Sequence, residues 1–172
     1  MKQIETTHWK PFQISSLFTI VKGKRLTKAD MKRGLINFIG ASAENNGITA
    51  KIANKEHLHK GGTITVSYNG SVGETFYHEE PFWASDDVNV LYPKFNLTKN
   101  IAMFLIPLIK CKGRNYAFVN KWGKTEMEND VIYLPVCNNG KPDYDYMEQY
   151  ISELASSVIN SLNALEYAEE EH

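Results

Sequence analysis

Polar and apolar positions change period along this chain, and the changes mark its elements. From Asp143 onward, Met147, Ile151, Leu154, Val158, Leu162 and Leu165 follow one another at steps of 4, 3, 4, 4 and 3. A helix gathers such steps on one face, so one long helix is predicted over roughly five turns. Upstream the pattern shortens. Thr63-Ile64-Thr65-Val66-Ser67-Tyr68 alternates and is rich in β-branched residues, and Asn69-Gly70-Ser71-Val72-Gly73 then forces a tight turn before Glu74-Thr75-Phe76-Tyr77. This is a β-hairpin pattern. Leu35-Ile36-Asn37-Phe38-Ile39-Gly40 reads as a strand followed by the Asn45-Asn46-Gly47 turn, because Asn and Gly tolerate positive φ. Phe82-Trp83-Ala84, Val88-Asn89-Val90-Leu91-Tyr92 and Val131-Ile132-Tyr133-Leu134-Pro135-Val136 add further strands. Ser15-Ser16-Leu17-Phe18 caps one helical turn, and Ile101 to Ile109 reads as a buried helix, with Pro107 at an end or a kink. The expected architecture is mixed α/β, a single globular domain over residues 1–142 followed by a spacer or dimerisation helix over 143–172.

Charge divides the chain at nearly the same place. The formal net charge is −1, yet residues 1–125 carry +9 and residues 126–172 carry −10. A basic body is an electrostatic footprint for a polyanion, and an acidic segment with an apolar helical stripe suits a protein partner. Six stripe residues, each contributing about 1.5–3 kcal/mol when fully buried, are costly to leave in water.

At 172 residues, with 42% hydrophobic content, the chain can build one full core. Cys111 and Cys137 have no CxxC spacing and no secretory leader pattern precedes them, so a cytoplasmic protein with reduced thiols is expected. The apolar run Ile101 to Ile109 is far short of the roughly 20 residues that span a bilayer.

Catalytic patterns are thin. The chain has no GxGxxG, GxxxxGK[ST], HExxH or GxSxG, and no Asp/Asn-Pro-Pro-Tyr/Phe run. His57 and His59 beside Glu56 fall short of the three or four converging ligands zinc requires. Glu126, Glu128 and Asp130, with Lys124 nearby, leave a small metal-dependent nuclease open as one alternative. A Cys111 or Cys137 thiol paired with His8 or His78 is another nucleophilic arrangement, set against ordinary structural cysteines.

DNA readout has the fuller residue set, since it needs Lys and Arg for phosphates and Asn, Ser or Arg on loops for base edges. Lys22, Lys24, Arg25 and Lys28 form one group, and Asn45 and Asn46 sit at a turn. Tyr68, Asn69 and Ser71 lie at the hairpin tip, while Lys110, Lys112, Arg114, Asn115, Lys121 and Lys124 form the last group. Trp122 either packs in the core or stacks on DNA. A protein-interaction or inhibitor module, docking an acidic partner on the basic face, is the remaining alternative.

The order Trp9, Leu17-Phe18, Lys22-Gly23, Phe38-Ile39, Asn46-Gly47, Ile64-Thr65-Val66, Asn69-Gly70-Ser71-Val72-Gly73 and Phe82-Trp83-Ala84 resembles a target-recognition domain of HsdS-type DNA specificity subunits. Tyr116-Ala117-Phe118 and the strand ending in Leu134-Pro135 extend the likeness, and Asn139-Gly140-Lys141-Pro142-Asp143-Tyr144 before the helix is similar to the type IIB variant. The resemblance implies an irregular twisted β-sheet domain that reads a few base pairs of double-stranded DNA, non-catalytic in itself. It also implies a helix that pairs with a second helix, either in a homodimer or with another recognition domain. A methyltransferase or nuclease-methyltransferase partner would hold S-adenosylmethionine and Mg. Full specificity subunits carry two recognition domains and two long helices, whereas this chain has one of each.

Overall fold

The computed structural model describes residues 4–117 and 119–170, with helical side chains described as far as residue 163. Nine strands and four helices alternate through the described residues, and the strands form three small sheets rather than one. β1 (Lys10–Gln13) pairs antiparallel with β9 (Val131–Leu134). β2 (Phe18–Lys22), β5 (Thr63–Ser67), β6 (Thr75–His78) and β8 (Val88–Pro93) make an antiparallel sheet in the order β2-β8-β5-β6. In the third sheet, β3 (Arg33–Ile39) lies between β4 (Ile48–Ile52), antiparallel, and β7 (Phe82–Ala84), parallel.

The main core lies between the four-stranded sheet and α2 (Lys99–Gly113). Ile20, Ile64, Val66 and Leu91 meet Ile101, Leu105 and Ile109 there, and α1 (Ile14–Leu17) closes one end with Ile14 and Leu17. The opposite side of β8 presents Val88 and Val90 to Ile39, Phe82 and Ala84, which joins the second sheet to the third. One alternating strand thus serves two cores.

α2 begins at Thr98, whose hydroxyl accepts from the Ile101 amide, and carries basic Lys110 and Lys112 in its last turn. Of the two places its sequence allows, an end or a kink, Pro107 lies inside the helix and not at an end. The carbonyl it cannot satisfy belongs to Met103, which is on the exposed side of the helix. α3 (Lys124–Asn129) is short and anchored by buried Met127.

α4 (Tyr144–Glu170) is the predicted long helix, capped by Asp143, whose carboxylate accepts from the Tyr146 amide at 2.9 Å. Its first turns belong to the main core. Met147 is completely buried, and Tyr144, Tyr150 and Ile151 pack beside it. Glu148 clamps the start of α2, accepting from the Thr98 hydroxyl and, at 2.7 Å, from the Asn100 amide. The stripe expected to meet a second helix is therefore divided: Met147 and Ile151 are spent inside the chain, Leu154 is half-buried, and Val158 and Leu162 stand about half exposed. Leu165 lies outside the described side chains. No helix among the described residues is long and apolar enough to cross a membrane.

Candidate nucleic-acid interface

The four-stranded sheet brings four separated segments to one of its edges. β2 and β5 both end there, while β6 and β8 start there, because β8 is antiparallel to β2 and β5 and β6 is antiparallel to β5. Residues 23–25, the hairpin tip 68–74 and the turn 85–87 are consequently neighbours. Backbone bonds fix them: the Gly23 amide donates to Val88, the Lys24 amide to Ala84 and the Tyr68 amide to Asp87. The C-terminal end of β3 joins them, since the Ser85 amide donates to the Ile39 carbonyl and Gly70 lies against Ala41.

Three glycines make the edge compact. A Cβ on Gly23 would lie 2.1 Å from the Ser85 carbonyl oxygen, so only glycine lets the chain pass this turn. Gly73 has φ +85°, and the end of α2 packs so closely on it that a Cβ on Gly113 would sit 2.6 Å from its Cα. That contact carries Arg114 and Asn115, both exposed, to the flank of the hairpin tip.

On this edge, Lys22 Nζ lies 4.9 Å from the centre of the Tyr68 ring. Contact with Tyr68, and then the charges of Asp86 and Asp87, hold the Lys22 ammonium above its ordinary pKa, so it stays charged. Arg25 pairs with Asp86 at 3.6 Å, Tyr68 donates its hydroxyl to the Asp86 carbonyl, and Asn69 donates to Asp87 Oδ1 at 2.8 Å. Cations and amides are held in place by an acidic turn, while Lys24 is exposed beside them. The Asn69 Oδ1 and Ser85 Oγ atoms are buried with no partner among the described residues. Fixed cations, a tyrosine face and amide groups on closely packed loops are the equipment that phosphate and base-edge contacts require.

A family model, described as type I restriction modification DNA specificity domain, matches residues 7–165. The chain belongs to that family. The type II restriction enzyme specificity subunit S.BcgI of Heyndrickxia coagulans is 38% identical over 160 residues, covering 92% of this chain and 47% of that protein. The chain thus spans about half the length of that relative. Three solved structures share the fold. The type I restriction-modification S subunit of M. genitalium superposes with TM-score 0.61 at 16% identity, over 94% of this chain and 44% of that one. The HsdS subunit of Thermoanaerobacter tengcongensis gives 0.62 at 15%, over 94% and 41%. A chain from a study of complex assembly and conformational transition of the type I R-M system gives 0.66 at 14%, over 98% and 44%.

Within this specificity-domain fold, the other sequence-predicted residues separate by role. Lys112 is turned inward: its Nζ lies 2.9 Å from Asp130 Oδ1, while Asp130 Oδ2 accepts from the Tyr116 hydroxyl and the Trp122 indole N–H, both at 2.7 Å. Burial, with the Asp130 and Glu126 carboxylates, pushes the Tyr116 phenol up to about 12. Trp122 is fully buried and stacks on Tyr116, which settles it as a core residue. Lys110 pairs with Glu74 at 2.6 Å and so ties α2 to the hairpin. Asn45 and Asn46 have positive φ and turn their amide donors back onto the Ile48 and Tyr77 carbonyls, each at 3.2 Å. Asn45 thereby closes its own turn, and Asn46 ties that turn to β6. Ser71 is half-buried at the hairpin tip, Lys28 and Lys121 are exposed, and Lys124 pairs with Glu128 within α3 at 3.6 Å.

The acidic trio does not converge among the described residues. Asp130 is fully engaged, Glu126 and Glu128 sit on α3, and no group of three potential ligands converges among the described residues. His59 and His78 are buried instead, flanking Phe82, with His59 Nδ1 2.8 Å from the Tyr92 hydroxyl and His78 Nε2 2.9 Å from Thr65 Oγ1. Asp86 and Asp87, which organise the edge, carry no local mark of that role, since an Asp pair before a strand also suits an ordinary turn.

Proposed function

We propose that this chain is a cytoplasmic, non-catalytic sequence-recognition unit of a restriction-modification system. It reads double-stranded DNA through the edge formed by residues 22–25, 68–71 and 114–115. The observation carrying this reading is the convergence, on one edge of a specificity-domain fold, of segments almost 100 residues apart in sequence that hold its cations and amides. Lys22, Lys24 and Arg25 neutralise phosphates, while Ser71 and Asn115 stand where base edges would be met and Asn69 holds the loop to Asp87.

The exposed distal turns of α4 provide the second function. Val158, Ile159 and Leu162 present an apolar face about half exposed among the described residues. That face engages a second helix, in a homodimer or from another recognition domain, and the assembly engages a methyltransferase or nuclease-methyltransferase subunit. S-adenosylmethionine and Mg would be held by that partner. A two-fold pair would place two reading edges on one duplex and raise the effective concentration of the second.

Selection from randomised duplex DNA, at about 0.1–0.15 M salt where nonspecific phosphate binding is weakened, tests the reading. Enrichment of a motif of a few base pairs, singly or as two copies at fixed spacing, is the expected result. A folded chain that enriches nothing, alone or with its second helix supplied, refutes direct readout.

A further inference from the structure

A second basic surface lies at the start of β3. β3 pairs with β7 only over Asn37–Ile39, so toward Arg33 the sheet narrows to a two-stranded ribbon with β4. In that ribbon both Arg33 and Ile36 stand opposite Ile52, which extrudes Gly34 and Leu35 as a bulge. Bulges of this kind re-aim a side chain. Leu35 is 90% exposed, while a Cβ on Gly34 would lie 2.5 Å from the Ile52 carbonyl oxygen. The backbone is therefore pressed against β4 at one residue so that a leucine can project at the next.

The surroundings of that leucine are basic. Lys32, Arg33, Lys51 and Lys55 are all exposed. None of the four is ion-paired among the described residues; Lys51 hydrogen-bonds Asn37, and Glu56 lies near enough to feel Lys32. Across residues 28–33 and 51–56 there are five basic and two acidic side chains. An apolar tip within unpaired cations does not suit an apolar protein groove, where every lysine would have to be desolvated. It suits a duplex groove, whose walls are anionic and whose floor offers apolar contact.

We propose that the β3–β4 ribbon is a second DNA-contacting element. It enters the major groove, which admits a two-stranded ribbon, with Lys32 and Arg33 on phosphates and Leu35 against a thymine methyl group. Leu35 is then a specificity-determining residue. This inference rests on the DNA-recognition reading above.

Parallel selections of randomised duplexes on the full chain and on its Leu35→Ser and Leu35→Ala variants test it. Exposure of Leu35 leaves folding of both variants intact. The wild type should enrich a motif in which both variants lose preference at one T·A position, with about tenfold weaker binding to the wild-type site. Uracil at that position, lacking the methyl, should weaken the wild type similarly and leave Leu35→Ser unchanged. A Lys32→Gln/Arg33→Gln chain should keep the motif while its salt slope falls by about 2. An unchanged motif and affinity in the Leu35 variants overturns the inference alone, with the recognition edge standing. If the wild type enriches no motif, both readings fall together.

Discussion

Replacing Asp130 by alanine should remove the bracket that holds the α2 C-terminal end onto the core. The carboxylate accepts from Tyr116, Trp122 and Lys112 at 2.7, 2.7 and 2.9 Å. Trp122 is fully buried, so its indole N–H would be left with no acceptor, at a cost of about 1–3 kcal/mol. Tyr116 is half-buried and can recover water, so its lost bond costs about 1 kcal/mol, and the part-exposed Lys112 pair about 1 more. The expected loss is about 4 kcal/mol, a large share of the 5–15 kcal/mol typical of a domain. Urea unfolding followed by tryptophan fluorescence should show the midpoint falling by about 2 M at unchanged m, if m is about 2 kcal/mol/M. Asp130→Asn keeps one acceptor oxygen and should lose less than half as much. If Asp130→Ala costs no more than Lys112→Ala, the bracket reasoning is wrong, because the buried indole would then have found another partner.

Neutralising the edge with Lys22→Gln/Arg25→Gln should leave unfolding unchanged, since both side chains are exposed, and weaken duplex binding at about 0.1 M salt with a shallower salt slope; equal slopes in wild type and variant would remove these residues from the interface. His78 is buried and desolvation lowers its pKa to about 4, so the unfolded chain binds the extra proton below its ordinary value of 6.5. Its neutral form therefore contributes stability that is fully present above pH 6.5 and lost as pH falls toward 4, about 3 kcal/mol at most. His78→Gln should flatten that part of the stability–pH curve, and an identical slope in the variant would assign the acid sensitivity elsewhere. Leu162→Asp, on the exposed turns of α4, should leave the unfolding midpoint of the isolated domain in place and shift sedimentation toward monomer. A dimer that survives it does not use that face.

Local signals in the chain marked most elements and few of their neighbours. The Asn69–Gly73 run announced the hairpin because glycines at positive φ permit little else, and the three-and-four stepping announced α4. The pairing of β3 parallel to β7, and of β2 with β8, joins segments whose local patterns contain no mutual mark. The same gap limited the site. Lys112 and Arg114 are two residues apart and look alike in sequence, yet the helix turns the first onto Asp130 and the second into solvent. Asn45 and Asn46 combine turn-forming and base-reading chemistry in one side chain, and their bonds to the Ile48 and Tyr77 carbonyls depend on a fold that the local pattern does not contain. The Gly34-Leu35 bulge needed the β3–β4 register before its exposure had a meaning.

The opposite charges of the two parts take on a more specific meaning in the folded chain. Much of the acidic excess near the boundary is spent on construction: Asp130 brackets the core, Asp143 caps α4, and Glu148 clamps the start of α2. Asp130 and Glu148 join the C-terminal segment to the basic body at its base, while Asp143 fixes the start of α4 itself. The early turns of α4 are consequently a rigid part of the recognition domain, continuous with the core through Met147, and freedom from the body begins near Leu154. From there to residue 163 a straight helix advances about 14 Å at 1.5 Å per residue. Whatever grips its apolar face thus holds the proposed recognition edge through a stiff arm, so partner geometry is transmitted to the loops of that edge without a hinge at residues 142–143.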